Sequence, residues 1–327
     1  MGIVAQAVGL LLVATASSGV PSRAAAQDAG EPVTTLQVAT RVVEIAAVVK
    51  GKDGAPRGGM TKDDFVLKQD GKEEPIHYFS QGSDLPLTMA LLVDTSGSQR
   101  TFLGDETQAS DVFFETMLGR KEDRAMLVQF DTRVLPLRAM TNSVSALHLS
   151  LMNLGSQPGT AGRTLLNDAV YAVAKNVLGK ETGRKAMVIL TDGGDNGSRV
   201  SVAQAIEEAQ RGDVPIYSIL YSAADGSVGY AAGGARSSTR MYPGQMDVGQ
   251  ETLRKLSEST GGHVFAVSQA MSLREIYARI GQDLRLQYEV GYTPPADVQP
   301  NSFHRLELRA KDKKLVVQAR KGFFARP

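Results

Sequence analysis

Between residues 85 and 283 two kinds of apolar pattern alternate along the chain. Short continuous runs, Thr88 to Val93, Ala125 to Phe130, Ala186 to Leu190 and Val214 to Tyr221, have the character of strands buried on both faces of a parallel sheet. Between them the apolar residues fall at helical spacing. Ala109, Val112, Phe113, Thr116 and Met117 form one such stripe. Leu165, Ala169, Ala172, Val173 and Val177 predict a helix from Thr164 to Leu178. Ser201 and Gln204 make a capping box before a third stripe at Val202, Ala205, Ile206 and Ala209. A helix from Glu251 to Thr260 is stopped by Gly261 and Gly262, and a short strand from His263 to Val267 follows. Leu273, Ile276, Tyr277, Ile280 and Leu284 mark the last helix. Strands alternating with helices over this length predict a doubly wound α/β domain with a mostly parallel sheet.

The flanks read differently. Residues 27–84 carry a β-rich run from Val42 to Val49, the turn signals Asp53-Gly54 and Asp70-Gly71, and a strand at Phe65 to Gln69 between them. Residues 284–327 return to alternation at Tyr288, Val290 and Tyr292, then at Leu306 and Leu308, with Leu315 to Val317 and Phe323-Phe324 beyond. Neither flank has enough strands for a sandwich of its own. The expectation is one composite, sandwich-like β domain with the α/β domain inserted in it.

The amino-terminal residues change the picture of location. Ile3 to Ala16 is apolar or small apart from Gln6 and Thr15, and Ala24-Ala25-Ala26 has the A-x-A form of a cleavage site. Residues 1–26 are therefore expected to be a signal peptide cut after Ala26, and the mature chain to be secreted or periplasmic. The 14 or so apolar residues are too few to span a bilayer, for which about 20 are needed. Retention of the signal as an anchor is the competing outcome. Charge is balanced, with 36 Lys and Arg against 35 Asp and Glu, so no single-sign field points to nucleic acid or an anionic membrane. Cysteine is absent, which excludes disulfides, thiolate metal sites and a cysteine nucleophile.

Candidate chemistry gathers where the apolar runs stop. Leu91-Leu92-Val93-Asp94-Thr95-Ser96-Gly97-Ser98 is a buried strand that ends in D-x-S-x-S. The carboxyl ends of such strands open onto the ligand crevice of an α/β sheet. One carboxylate and two hydroxyls at alternate positions of a tight loop can converge on one point, and hard oxygen donors suit Mg²⁺ or a similar divalent ion. A second strand ends Ile189-Leu190-Thr191-Asp192-Gly193-Gly194, and Gly162-Arg163-Thr164 opens a helix between the two. Read singly, Ser96 and Ser98 are also helix caps and Asp192 a turn residue. That reading covers each residue but not their joint order.

D-T-S-G-S, G-R-T-x-x-x-D-A and I-L-T-D-G-G together resemble the von Willebrand factor A domain in order, spacing and strand context, over about residues 85–283. The resemblance implies a Rossmann-like fold and a metal-ion-dependent adhesion site. Ser96, Ser98 and Thr164 would then coordinate the ion by their hydroxyls, and Asp94 and Asp192 directly or through water. The ion would be Mg²⁺, with Mn²⁺ or Ca²⁺ as alternatives, and an acidic group of a protein partner would complete the shell. The flanks, with D-G-A-P at Asp53 and F-V-L-K-Q-D-G-K at Phe65, resemble bacterial exported proteins related to the same domain.

The expected function is thus a metal-dependent protein-binding module and not an enzyme. A metal-dependent hydrolase and a structural envelope-assembly protein, with self-association, are the alternatives. Asp195 and Asn196 read as a polar turn or as part of the rim of the site. The Gly-, Ala- and Ser-rich stretch from Ser222 to Gly249 follows a strand at the same edge, which makes Arg236, Arg240 and Tyr242, with Asp195, candidate partner contacts. His77, His148, His263 and His304 are scattered without zinc spacing, and neither a G-x-S-x-G elbow nor a Walker A loop is present.

Overall fold

The computed structural model describes residues 42–81, 85–100, 102–156, 162–221 and 243–325, with residues 243–247 described by their backbone. The expected signal peptide, Arg236, Arg240 and Tyr242 lie outside these residues.

A six-stranded sheet forms the centre of the α/β part. Its strands are β5 (Leu87–Asp94), β6 (Arg124–Phe130), β7 (Val134–Thr141), β8 (Arg184–Thr191), β9 (Ile216–Leu220) and β10 (Val264–Ala266). Their order is β10-β9-β8-β5-β6-β7, and every neighbouring pair is parallel except β6 with β7. The chain runs outward from β5 through β6 to β7, then returns to β8 on the other side of β5. The order therefore reverses between β5 and β8, where an open α/β sheet leaves a crevice beyond its carboxyl ends.

All eight residues of β5 are buried, because both faces of the sheet are covered. Met89, Leu91 and Val93 meet α1 (Leu103–Met117), α2 (Val144–Leu151) and α6 (Leu273–Arg285). Ala90 and Leu92 meet α3 (Leu166–Asn176), α4 (Val202–Arg211) and α5 (Pro243–Thr260) on the other side. The capping box at Ser201 and Gln204 opens α4 as the sequence predicts, and Gly261, at φ +89°, follows the end of α5.

Strands from the two flanks interleave. β1 (Val43–Lys50) pairs with β11 (Tyr288–Tyr292) and β13 (Val316–Ala319), and β4 (Tyr78–Gln81) adds to β11. In the facing sheet β2 (Phe65–Gln69) lies between β3 (Lys72–Glu74) and β12 (Phe303–Ala310), with β14 (Gly322–Phe324) at the edge. Alternate residues close a common core: Val43, Ile45, Ala47 and Val49 with Tyr288, Val290, Tyr292, Phe65, Leu67, Leu306 and Leu308. The Asp70-Gly71 signal is the β2–β3 turn, with φ of 50° and 85° at its two residues. Asp53-Gly54 instead makes a tight turn closed by a single bridge between Lys50 and Pro56.

Buried charges join the β layers to the α/β part. Lys50 Nζ lies 2.7 Å from Asp283 Oδ2 of α6. Arg320 pairs with Asp213 and donates to the Glu44 carbonyl at 2.5 Å. Within the α/β part Arg184 of β8 donates to the carbonyls of Leu85, before β5, at 2.9 Å and of Leu284 in α6 at 2.8 Å. Among the described residues no helix is long and apolar enough to cross a membrane.

Candidate metal centre

Asp94 is the last residue of β5, and its side chain is 0% exposed. Its Oδ1 accepts a hydrogen bond from the Ser96 backbone N–H at 2.9 Å, which tightens the loop after the strand. That turn brings Ser96 Oγ to 3.2 Å from Ser98 Oγ. The Thr95 N–H continues the sheet by donating to the Phe130 carbonyl at 2.9 Å. Gln99 pins the far side of the loop through its Nε2, which donates to the Tyr221 carbonyl at 3.2 Å.

Asp192 follows the last residue of β8, the strand next to β5. Gly193 leaves it at φ +84°, and a Cβ there would meet the Gly249 carbonyl oxygen of α5 at 2.5 Å. The loop thus needs glycine both for its conformation and for the close approach of α5. Asp192 Oδ1 accepts from the Gly194 N–H at 2.9 Å. Thr191 ties the two strand ends together: its hydroxyl donates to Asp94 Oδ2 at 2.6 Å and accepts from the Gly193 N–H at 3.1 Å.

Thr164 is expected from the sequence to open its helix, but α3 begins two residues later, at Leu166. Its place is fixed instead by the loop after Asp192. The Thr164 N–H donates to Asn196 Oδ1 at 2.7 Å, and the Asn196 amide donates to the Gly162 carbonyl at 3.0 Å. One residue on, the Leu165 N–H donates to the Asp131 carbonyl at the end of β6 at 2.9 Å. A second layer reinforces the join. Asp195 accepts from the Asn167 amide and from the N–H groups of Gly197 and Ser198. Asp168 Oδ1 accepts from Arg199 N and Val200 N, each at 2.9 Å.

The electrostatics are those of a site short of positive charge. Burial, and then the nearby Asp192 carboxylate, push the Asp94 carboxyl up to about 7. Hydrogen bonds from Thr191 and Ser96 pull the other way without overcoming these two effects. The carboxylates of Asp94 and Asp192 and the hydroxyls of Ser96 and Ser98 offer only hard oxygen donors, which fit a small divalent cation, and Thr164 is tied to the loop after Asp192 through its backbone. Among the described residues no cluster of three or more His, Cys, Asp or Glu side chains is present, so hydroxyls must supply part of any shell here.

Sequence reasoning missed the residues that hold the site. Thr191 was visible as the one polar residue at the end of an apolar run, immediately before Asp192. Asn167 acts across about 30 residues of chain and carries no local signal. Asp168 stood in the sequence only as the acid of G-R-T-x-x-x-D-A and Asn196 only as a polar turn or rim residue, without the bonds they make between the two loops. Glu106 was also missed. It lies on the inner stripe of α1 with Ala109, Ser110, Phe113, Phe114 and Met117, where the predicted stripe had Val112 and Thr116. Glu106 is 0% exposed, and among the described residues neither carboxylate oxygen has a hydrogen-bond partner. Burial, then the charges of Asp94 and Asp105, push it up to about 9.

The native state thus keeps a proton on Glu106 that the unfolded chain releases near its ordinary value of about 4.3. Stability should fall as pH rises between these limits. In EDTA, Glu106→Gln is expected to flatten that fall and to raise stability at pH 9 by about 2 kcal/mol. Urea unfolding at several pH values checks this. Parallel wild-type and variant curves would show that Glu106 is ionised and satisfied in the fold.

The family model for the von Willebrand factor type A domain matches residues 89–279. No curated protein matches the chain significantly. Among solved structures, similar ones include a conserved hypothetical protein BatB from Bacteroides thetaiotaomicron, at 12% identity over 61% of this chain and 97% of that one, with a TM-score of 0.45. The vWF domain of the type V pili tip protein Mfa5 from Porphyromonas gingivalis is 13% identical over 61% of this chain and 94% of that one, with a TM-score of 0.44. The pilus adhesin SpaC from Lactobacillus rhamnosus GG is 10% identical over 84% of this chain and 48% of that one, with a TM-score of 0.45. The family match spans more than half of the chain, both strand-end motifs and the α/β sheet that carries them, and the chain belongs to the von Willebrand factor type A domain family.

Proposed function

We propose that this chain is an exported binding module that grips an acidic group of a protein partner through a divalent ion, Mg²⁺ first among the candidates. Asp94, Ser96, Ser98, Thr164 and Asp192 would hold the ion. Once bound, it would supply the positive charge that a partner's carboxylate seeks. The observation that carries the reading is the fully buried Asp94 carboxylate, set against the charge of Asp192 beside two hydroxyls 3.2 Å apart. A like-charge pair of this kind is costly unless a cation answers it.

The chain's own part is rigidity. Thr191 orients Asp94, Asn196 holds Thr164 to the Asp192 loop, and Gln99 anchors the serine loop to β9. These bonds would hold the donors in place before any ion arrives, which would lower the ordering cost of binding. Asp195 serves the same framework, with both of its carboxylate oxygens engaged within the loop and α3.

Capture of a partner from the native envelope fraction tests the reading. A band retained by wild type in Mg²⁺, and lost both in EDTA and with Asp94→Asn, is expected. Retention unchanged by both treatments would refute it.

A further inference from the structure

Among the described residues, four exposed arginines lie in the loops around the candidate metal centre. Arg100 lies two residues beyond Ser98, Arg163 directly precedes Thr164, Arg199 lies in the loop after Asp192, and Arg133 lies in the turn after β6. All four are exposed, and they come from four separate segments at the same edge of the sheet. The segments are stitched to one another. The Thr95 N–H bonds to the Phe130 carbonyl and the Leu165 N–H to the Asp131 carbonyl, each at 2.9 Å, and Arg199 N to Asp168 Oδ1 at 2.9 Å.

The acids of these segments are turned inward. Asp94, Asp131 and Asp192 are buried. Asp131 Oδ1 accepts from the Arg133 N–H at 3.0 Å, and Asp195 is held by Asn167, Gly197 and Ser198. An exposed carboxylate, Asp105, lies in the first turn of α1. Of the four guanidinium groups, that of Arg163 donates to the Gly197 carbonyl at 2.8 Å. The other three enter no ion pair among the described residues.

A chain with nearly equal numbers of acids and bases thus places four exposed arginines around the buried acids Asp94 and Asp192. Guanidinium is the side chain best shaped for a planar, two-pronged grip on a carboxylate. We infer that the partner presents a cluster of carboxylates in one peptide segment, one for the metal and others for Arg100, Arg133 and Arg199. This rests on the metal reading above. The arginines come from separate loops at one edge of the sheet and not from one stretch of chain. That arrangement fits a short acidic peptide better than an extended polyanion. Arg163 braces the Gly197 loop beside Thr164 and is assigned a positioning part.

Fluorescence anisotropy with two labelled peptides tests this on the full chain. One carries a single Asp in a Gly-Ser background, and the other carries that Asp among four further Asp and Glu residues. In Mg²⁺ the clustered peptide is expected to bind at least ten-fold tighter. That advantage should shrink as NaCl rises. It should fall at least three-fold in Arg133→Gln/Arg199→Gln, two exposed positions whose substitution is expected to leave the circular dichroism spectrum unchanged, while the single-Asp peptide binds the variant as it binds wild type. Equal affinity for both peptides, each lost in EDTA, would overturn the arginine inference and leave the metal reading standing. Binding of neither peptide in Mg²⁺, or binding of the clustered peptide that survives EDTA, would overturn both. A heparin fragment that binds as tightly as the clustered peptide would overturn the assignment to a peptide.

Discussion

Asp94→Asn is expected to remove all stabilisation by Mg²⁺ while leaving the fold in place. A ligand that binds only the native state stabilises it by RT ln(1 + [L]/Kd), about 2.7 kcal/mol at a hundred-fold excess over Kd. For a domain of this size that is a rise of roughly 5–10 °C in melting temperature for wild type in Mg²⁺ over EDTA. The variant should show no rise. In EDTA it should melt no lower than wild type at pH 8. The sign follows from the charge. Asp94 is pushed up to about 7 in the fold, against 3.8 for the ordinary side chain, by burial and then by Asp192. The native carboxylate is therefore a liability above the ordinary value, and its cost is largest once pH exceeds about 7. Asparagine keeps an acceptor for the Ser96 N–H and a partner for the Thr191 hydroxyl without that charge. Thermal melts in Mg²⁺ and EDTA decide it. A variant that gains as much from Mg²⁺ as wild type would place the ion elsewhere.

Lys50→Met should destabilise the protein by about 3–5 kcal/mol, the usual cost of leaving one buried partner of an ion pair without the other. Asp283 is only 2% exposed and Lys50 13%. Burial already raises the Asp283 carboxyl, and Lys50 is the first of the groups pulling it back. Without Lys50 the carboxyl must ionise alone or carry a proton. The loss should therefore grow as pH rises, since the native state then binds a proton that the unfolded chain releases. The pair joins β1 of the flanking sheets to α6 of the α/β part, so the substitution also loosens the fastening between the two. Lys50→Met/Asp283→Leu should recover most of the loss, because an apolar pair of similar volume removes the uncompensated charge. Urea unfolding of the single and double variants measures both. A single variant as stable as wild type would mean that the pair contributes nothing net.

The parts of the fold that stand out in the sequence are those whose local pattern and tertiary environment agree. β5, β6, β8 and β9 are built around continuous or nearly continuous apolar runs because helices cover both faces of their sheet. The β character of Val42 to Val49 likewise anticipated β1, and the shortage of strands in each flank anticipated their joint sandwich. β7 left no such trace. It is antiparallel, contains Pro136, and pairs with β6 through two register shifts, which break the alternation along it. α2 is eight residues long and β4 only four, with Tyr78 more than half exposed, so neither offered a sustained pattern.

The same division holds at the candidate metal centre. The places of Asp94, Ser96, Ser98 and Asp192 at the ends of buried strands were legible because each ends or closely follows an apolar run. Thr164 was legible in order but not in conformation, since a side chain from residue 196 fixes it. Glu106 escaped because the stripe starts at Ala109 and leaves out the acid before it, although its spacing to Ala109 and Phe113 places it inside.

The central claim is that one divalent ion sits between the ends of β5 and β8. The most direct test is the anomalous difference map of crystals grown in Mn²⁺, which occupies oxygen-rich sites of this kind. A strong peak about 2.0–2.3 Å from Ser96 Oγ and Ser98 Oγ, absent from crystals of Asp94→Asn, is the predicted result. A fully formed site with no peak, or a peak that persists in the variant, would contradict it.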